Sequence, residues 1–194
     1  MKKVKDTDII FILDRSGSMS CVEEETIRGY NDFLDKQKKN RGQVFVTTVL
    51  FDDKYELLYS RENISNVKHI SNCEYYARGC TALMDAVGKT IVTLDKEIDK
   101  HNRVIMVIMT DGLENASREY NRDMVKKLIK KHKDWEFVFL GANIDSAEEG
   151  ASIGISREKT ANFSQDEASI GHVFACASKL CEGMDINLQE EING

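Results

Sequence analysis

The sequence predicts an α/β fold built on a mainly parallel sheet, and three observations predict it. Short, continuously apolar runs, DIIFIL at 8–13 and RVIMVIMT at 103–110, read as strands buried on both faces. Segments with apolar residues at helical spacing lie between such runs. Strands and helices alternate along the chain, which is the pattern of crossover connections in a parallel sheet.

Each element can be justified in turn. After the first strand, Val22 to Lys39 carries Ile27, Tyr30, Phe33 and Leu34 on one helical face. QVFVTTVLF at 43–51 and YELLYS at 55–60 flank the turn DDK, so they predict a hairpin that adds an antiparallel strand at one edge. Ala82 to His101 spaces Leu83, Val87, Ile91, Leu94 and Ile98 as a second helix. Arg122 to His132 sets Val125, Leu128 and Ile129 against Lys126, Lys127, Lys130 and Lys131, a buried side and a solvated basic one. WEFVFLGA at 135–142 is a further strand, and Gln165 to Glu182 a last helix. Residues 1–5 form an N-terminal arm, 6–183 a single domain, and the tail MDINLQEEING at 184–194 is expected to fray.

Composition excludes several classes. The 194 residues suit one domain, and with 41% apolar and 31% charged residues a packed core is expected. A formal net charge of −6 disfavours nucleic acid, whose binding rests on excess Lys and Arg. No run approaches the roughly 18 apolar residues of a membrane span. The opening MKKVKDTDIIFIL is too short in its apolar part for a signal peptide, so the expectation is a cytoplasmic protein. Five cysteines, Cys21, Cys73, Cys80, Cys176 and Cys181, form no CxxC pair and read as reduced thiols.

Ligands of open α/β sheets bind beyond the carboxyl ends of the strands. There the sequence supplies Asp14, Ser16 and Ser18 after the first buried strand, Asp111 after RVIMVIMT, and Thr81 before the second long helix. Alternate residues of an extended loop point the same way, so Asp14, Ser16 and Ser18 can converge on one ion. Hard cations such as Mg²⁺ take oxygen ligands of this kind. Singly, the serines and Thr81 read as helix caps and Asp111-Gly112 as a turn. Three loops at one sheet edge, all offering oxygens, favour a metal.

Other motifs fit less well. A calcium-binding loop would need Gly at its sixth position, where Met19 stands. The GKT at 88–90 lacks the earlier Gly of a phosphate loop, since position 83 is Leu, and it falls inside a helical pattern. No nucleophile elbow and no dinucleotide fingerprint are present.

At these residues the sequence resembles the von Willebrand factor type A (vWA) family. The D-x-S-x-S of Asp14, Ser16 and Ser18, Thr81 in GCTAL and Asp111 in TDG match that family's metal-ion-dependent adhesion site (MIDAS), and DRSGSM resembles its bacterial, intracellular members. The resemblance implies a Rossmann-like, doubly wound sheet with helices on both faces. It also implies a Mg²⁺ or Mn²⁺ ion, with Ca²⁺ as the alternative, and a protein partner whose Glu or Asp completes the shell. Met19, Cys21, Arg78, Leu113, Glu114 and Asn115 are then expected to form the rim that a partner meets. The alternative function is a metal-dependent hydrolase or phosphotransferase at the same site. It would use Arg15 and Arg78 as a phosphate clamp, and it lacks an evident general base, because His69, His101, His132 and His172 all fall elsewhere.

Overall fold

A computed structural model of the chain describes residues 6–39 and 42–193; the expected N-terminal arm, 1–5, lies outside the described residues. Its sheet has six strands: β1 (Thr7–Asp14), β2 (Val44–Phe51), β3 (Tyr55–Asn63), β4 (Arg103–Thr110), β5 (Trp135–Gly141) and β6 (Thr160–Asn162). They lie in the order β3-β2-β1-β4-β5-β6. Every neighbouring pair is parallel except β2 with β3. The expected α/β class, with one antiparallel edge strand, is what the chain forms.

The alternation within β1 assigns the two faces. Ile9, Phe11 and Leu13 point to one layer, built with α1 (Glu23–Gln37) and α5 (Glu167–Cys181), where Phe11 meets Tyr30 and Phe33 edge-on. Ile10 and Ile12 point to the other, with α2 (Leu83–Leu94), α3 (Arg122–Lys131) and α4 (Ser146–Ile153). Strands covered on both sides must be apolar at every position. That explains why β1 and β4 read as unbroken apolar runs rather than alternating ones.

The chain leaves β1 towards β2 and β3 on one side, then returns to place β4, β5 and β6 on the other. The crevice between the carboxyl ends of β1 and β4 is therefore the switch point. Register pairs Leu13 with both Leu50 and Met109, so Asp14 and Thr110 emerge together at that end.

Two expectations need correction, and two elements were not expected. The second helix stops at Leu94 rather than His101, because Ile98 is the one apolar residue among 95–102 and nothing else there can be buried. α4 and β6 carried no readable pattern, being eight and three residues long. The tail does not fray: α6 (Leu188–Asn193) forms, and Leu188 is 0% exposed in the core layer shared with α1 and α5. No helix among the described residues is long and apolar enough to cross a membrane.

Candidate metal centre

Asp14 ends β1 with its side chain fully buried. Its Oδ1 accepts the Ser16 N–H at 2.6 Å, and its Oδ2 accepts the Thr110 hydroxyl at 2.5 Å. The Tyr75 hydroxyl donates to its carbonyl. The chain then turns through a short 3₁₀ segment, Gly17–Val22, before α1. In that turn the Ser16 and Ser18 hydroxyls lie 3.2 Å apart, and Ser18 donates to Asp111 Oδ1 at 2.5 Å. Asp111 Oδ2 accepts from Gln165 Nε2 at 2.8 Å. A Cβ placed on Gly112 would stand 3.2 Å from Thr81 Oγ1 and 3.7 Å from Ser18 Oγ, so the missing side chain lets those hydroxyls close on the Asp111 turn.

The helix-cap readings fail. The Ser16 hydroxyl caps no N–H of the 3₁₀ segment that follows it, and α1 and α2 follow Val22 and Ala82, neither of which has a side-chain oxygen for capping. The Thr81 backbone is instead fastened to the loop after β4. Its N–H donates to Asn115 Oδ1 at 2.9 Å, and its carbonyl accepts from the Asn115 and Ala116 N–H groups. Glu114 caps α2 from that loop by accepting the Met84 N–H at 2.8 Å.

The electrostatics are unusual. Burial pushes the Asp14 carboxyl up to about 6, against the pull of its Thr110 and Ser16 hydrogen bonds, and the charge of Asp111 adds to the rise. Asp111 is also raised, first by burial, with Ser18 and Gln165 opposing. Among the described residues, both carboxylates are hydrogen bonded only to neutral groups. The nearest cation in sequence turns away. Arg15 is 1% exposed, and its guanidinium reaches Asp52 at 3.0 Å, Glu56 at 2.7 Å and the Glu74 carbonyl. Arg78 joins it on Asp52 at 2.7 Å and lies over the Tyr76 ring. Burial works to raise Asp52, but the bonds from Arg78, the Lys54 N–H and Arg15 outweigh it and hold that carboxyl below its usual range.

Two carboxylates and three hydroxyls, all hard oxygens, thus meet with no positive charge beside them. The set fits a divalent cation with hard-ligand preference, and Asp14, Ser16, Ser18, Thr81 and Asp111 are the residues that could hold one.

The expected rim divides. Leu113 is 55% exposed, and Cys21 and Asn115 are exposed beside the site. Glu114 is partly exposed but committed to the Met84, Ala116 and Ser117 N–H groups. Arg78 is held by Asp52 and Tyr76. Met19 is no rim residue at all: it is 0% exposed and packs in the core under the turn. Sequence reasoning missed Gln165, Tyr75 and the Arg15–Asp52 pair. Thr110 had a signal, as the one polar residue ending an apolar strand.

Comparison with solved structures supplies the architecture's counterpart. A mussel byssus protein, proximal thread matrix protein 1 with a zinc-occupied MIDAS motif, matches 91% of this chain and 46% of its own at 17% identity and a TM-score of 0.66. The fold is that of vWA domains. The vWA protein from Catenulispora acidiphila matches at 13% identity and a TM-score of 0.63, covering 90% of this chain and 42% of its own. The ArnB paralog VWA2 from Sulfolobus acidocaldarius matches at 16% identity and 0.60, covering 85% and 42%. The chain therefore spans less than half the length of each of these vWA-fold structures. No protein-family model and no curated protein matches the sequence.

Proposed function

We propose that the chain is a divalent-metal-dependent protein-binding module that captures an acidic side chain of a partner. One observation carries this: two buried carboxylates converge with three hydroxyls, and the adjacent arginine is spent elsewhere. Such a cluster is electrostatically incomplete, and a cation is the simplest complement. The zinc-occupied MIDAS of the mussel protein supports the reading by analogy of fold.

In this reading Asp14, Ser16, Ser18, Thr81 and Asp111 hold Mg²⁺ or Mn²⁺. When bound, the ion supplies positive charge that only partly neutral ligands leave uncompensated, and a partner's Glu or Asp is drawn to it. Tyr75 fixes the Asp14 backbone, Thr110 and the Ser16 N–H aim its carboxylate, and Gln165 aims Asp111. Leu113, Cys21 and Asn115 give the partner a mixed apolar and polar surface beside that charge. The working setting is the cytoplasm of a bacterial cell. The hydrolase alternative draws no support from its proposed clamp, because Arg15 and Arg78 are paired with Asp52, Glu56 and Tyr76.

The test is capture of proteins from a bacterial lysate by the immobilised chain with Mg²⁺, with chelator, and with Asp14→Asn. A partner retained only by the unmodified chain with Mg²⁺ supports the proposal. Equal retention in all three overturns it.

A further inference from the structure

The C-terminal helices hold a second cluster of metal-ligating groups, chemically unlike the first. His172 and Cys176 stand four residues apart on α5, hence on one face of the helix. α6 crosses beside them, held by the buried Leu188 and by a 2.6 Å ion pair between Lys179 and Glu191 Oε2. Glu191 thereby reaches the same place. An imidazole nitrogen, the Cys176 sulfur and a Glu191 carboxylate oxygen all lie within 4.8 Å of one another.

We propose that His172, Cys176 and Glu191 form a zinc site that fastens α6 to α5. The donor set selects the metal: thiolate and imidazole favour Zn²⁺ over Mg²⁺ or Ca²⁺, whereas the oxygen cluster at the sheet edge has the opposite preference. Three protein ligands with water in the fourth position satisfy tetrahedral zinc. Bond lengths of about 2.0–2.3 Å place such ligands roughly 3.3–3.8 Å apart, so closure from 4.8 Å needs about 1 Å of movement. His172 is exposed and Glu191 half-buried, so both can turn about their side-chain bonds while the buried Cys176 stays in place. Lys179 occupies one carboxylate oxygen, and monodentate binding needs only the other. On binding, the Cys176 thiol proton leaves to solvent and the sulfur binds as thiolate. Exposure of His172 gives the ion its entry path.

The proposal is independent of the metal centre at the sheet edge, and the experiment keeps the two apart. Co²⁺ is titrated, as a coloured substitute for Zn²⁺, into the full chain carrying Asp14→Asn with excess Mg²⁺ present. Sulfur coordination gives a thiolate-to-cobalt absorption band that an all-oxygen site cannot produce. The expected result is such a band at one equivalent, displaced by Zn²⁺. The band disappears with Cys176→Ser, and affinity falls by at least about 10–100-fold with His172→Ala. His172 is exposed, so that variant tests the site without disturbing the core. Absence of the band overturns the proposal, and so does a band unchanged by Cys176→Ser or by His172→Ala, since its ligands would then lie elsewhere, among Cys21, Cys73, Cys80 and Cys181.

Discussion

Single residues here work against stability at one site and for it at another. Asp14 is a buried carboxylate whose native form prefers its proton, with a value near 6 instead of 3.8. Without metal it therefore costs the folded state roughly 3 kcal/mol at neutral pH, a cost that grows as the pH rises from about 4 to 6. Asp14→Asn removes that charge, and Thr110 can accept from the amide and turn its own proton to the Gly112 carbonyl, 3.1 Å away. The variant is expected to unfold at a higher urea concentration than the unmodified chain in chelator, by about 1–3 kcal/mol, and to lose all stabilisation by Mg²⁺. Lower stability in chelator would mean that the carboxylate is a structural group first. His132 gives the opposite slope. It caps the C-terminal end of α3, packs on Trp135 at 4.4 Å between ring centres, and is pushed below its ordinary value by burial, with Asp95 opposing. The unfolded chain takes up that proton near pH 6.5 while the folded chain resists, so stability falls as the pH drops below about 6.5. In His132→Gln this loss between pH 6.5 and 5 should shrink, as measured by urea midpoints across that range.

At the scale of elements, α1 and α5 approach so closely that a side chain at position 29 has no room. A Cβ on Gly29 would stand 2.3 Å from the ring of Phe174, itself packed towards Phe11 in the core. Gly29→Ala must therefore shift a buried ring or part the helices, and is expected to cost about 1–3 kcal/mol. Gly171, one turn from that contact on α5, has nothing within 4 Å of its Cβ position, so Gly171→Ala should be neutral or stabilising by up to about 1 kcal/mol. Denaturant titration of the pair separates close approach from helix propensity; equal effects would contradict the packing argument. The contrast also shows what a sequence can display. Both glycines sit inside helical patterns and look alike until the partner helix is placed. β1 and β4 were legible because burial on both faces leaves an unbroken apolar string. α4, β6 and α6 were not, because eight, three and six residues are too few to show a period. The cluster of Asp14, Ser16, Ser18, Thr81 and Asp111 was legible because strand ends locate it. The roles of Gln165 and Arg15 were not, because each depends on a contact made across 37 or more positions of chain.

The whole molecule gathers its buried oxygen ligands at one end of the sheet. At the carboxyl ends of the strands, three loops are already stitched together: Arg78 N–H to the Arg15 carbonyl, Gly17 N–H to Gly79, and Asn115 N–H to Thr81. Gln165 extends that network to the segment leading into α5. These bonds hold the oxygen cluster in place, yet leave its two carboxylates with neutral partners. A cation at that point would tie together all the loops that meet there, since each contributes an oxygen or aims one. Hydrogen exchange should therefore slow together at 14–18, 79–82, 111–116 and 163–166 when Mg²⁺ is added, and remain unchanged at 95–102 and 132–134, at the opposite end of the sheet. Asp111→Asn should abolish the response in all of these segments at once, because all of them respond to one ion that Asp111 helps to hold. Slowing confined to 14–18 would show instead that the cation sits on the first loop alone, and that Thr81 and Asp111 are turn residues after all.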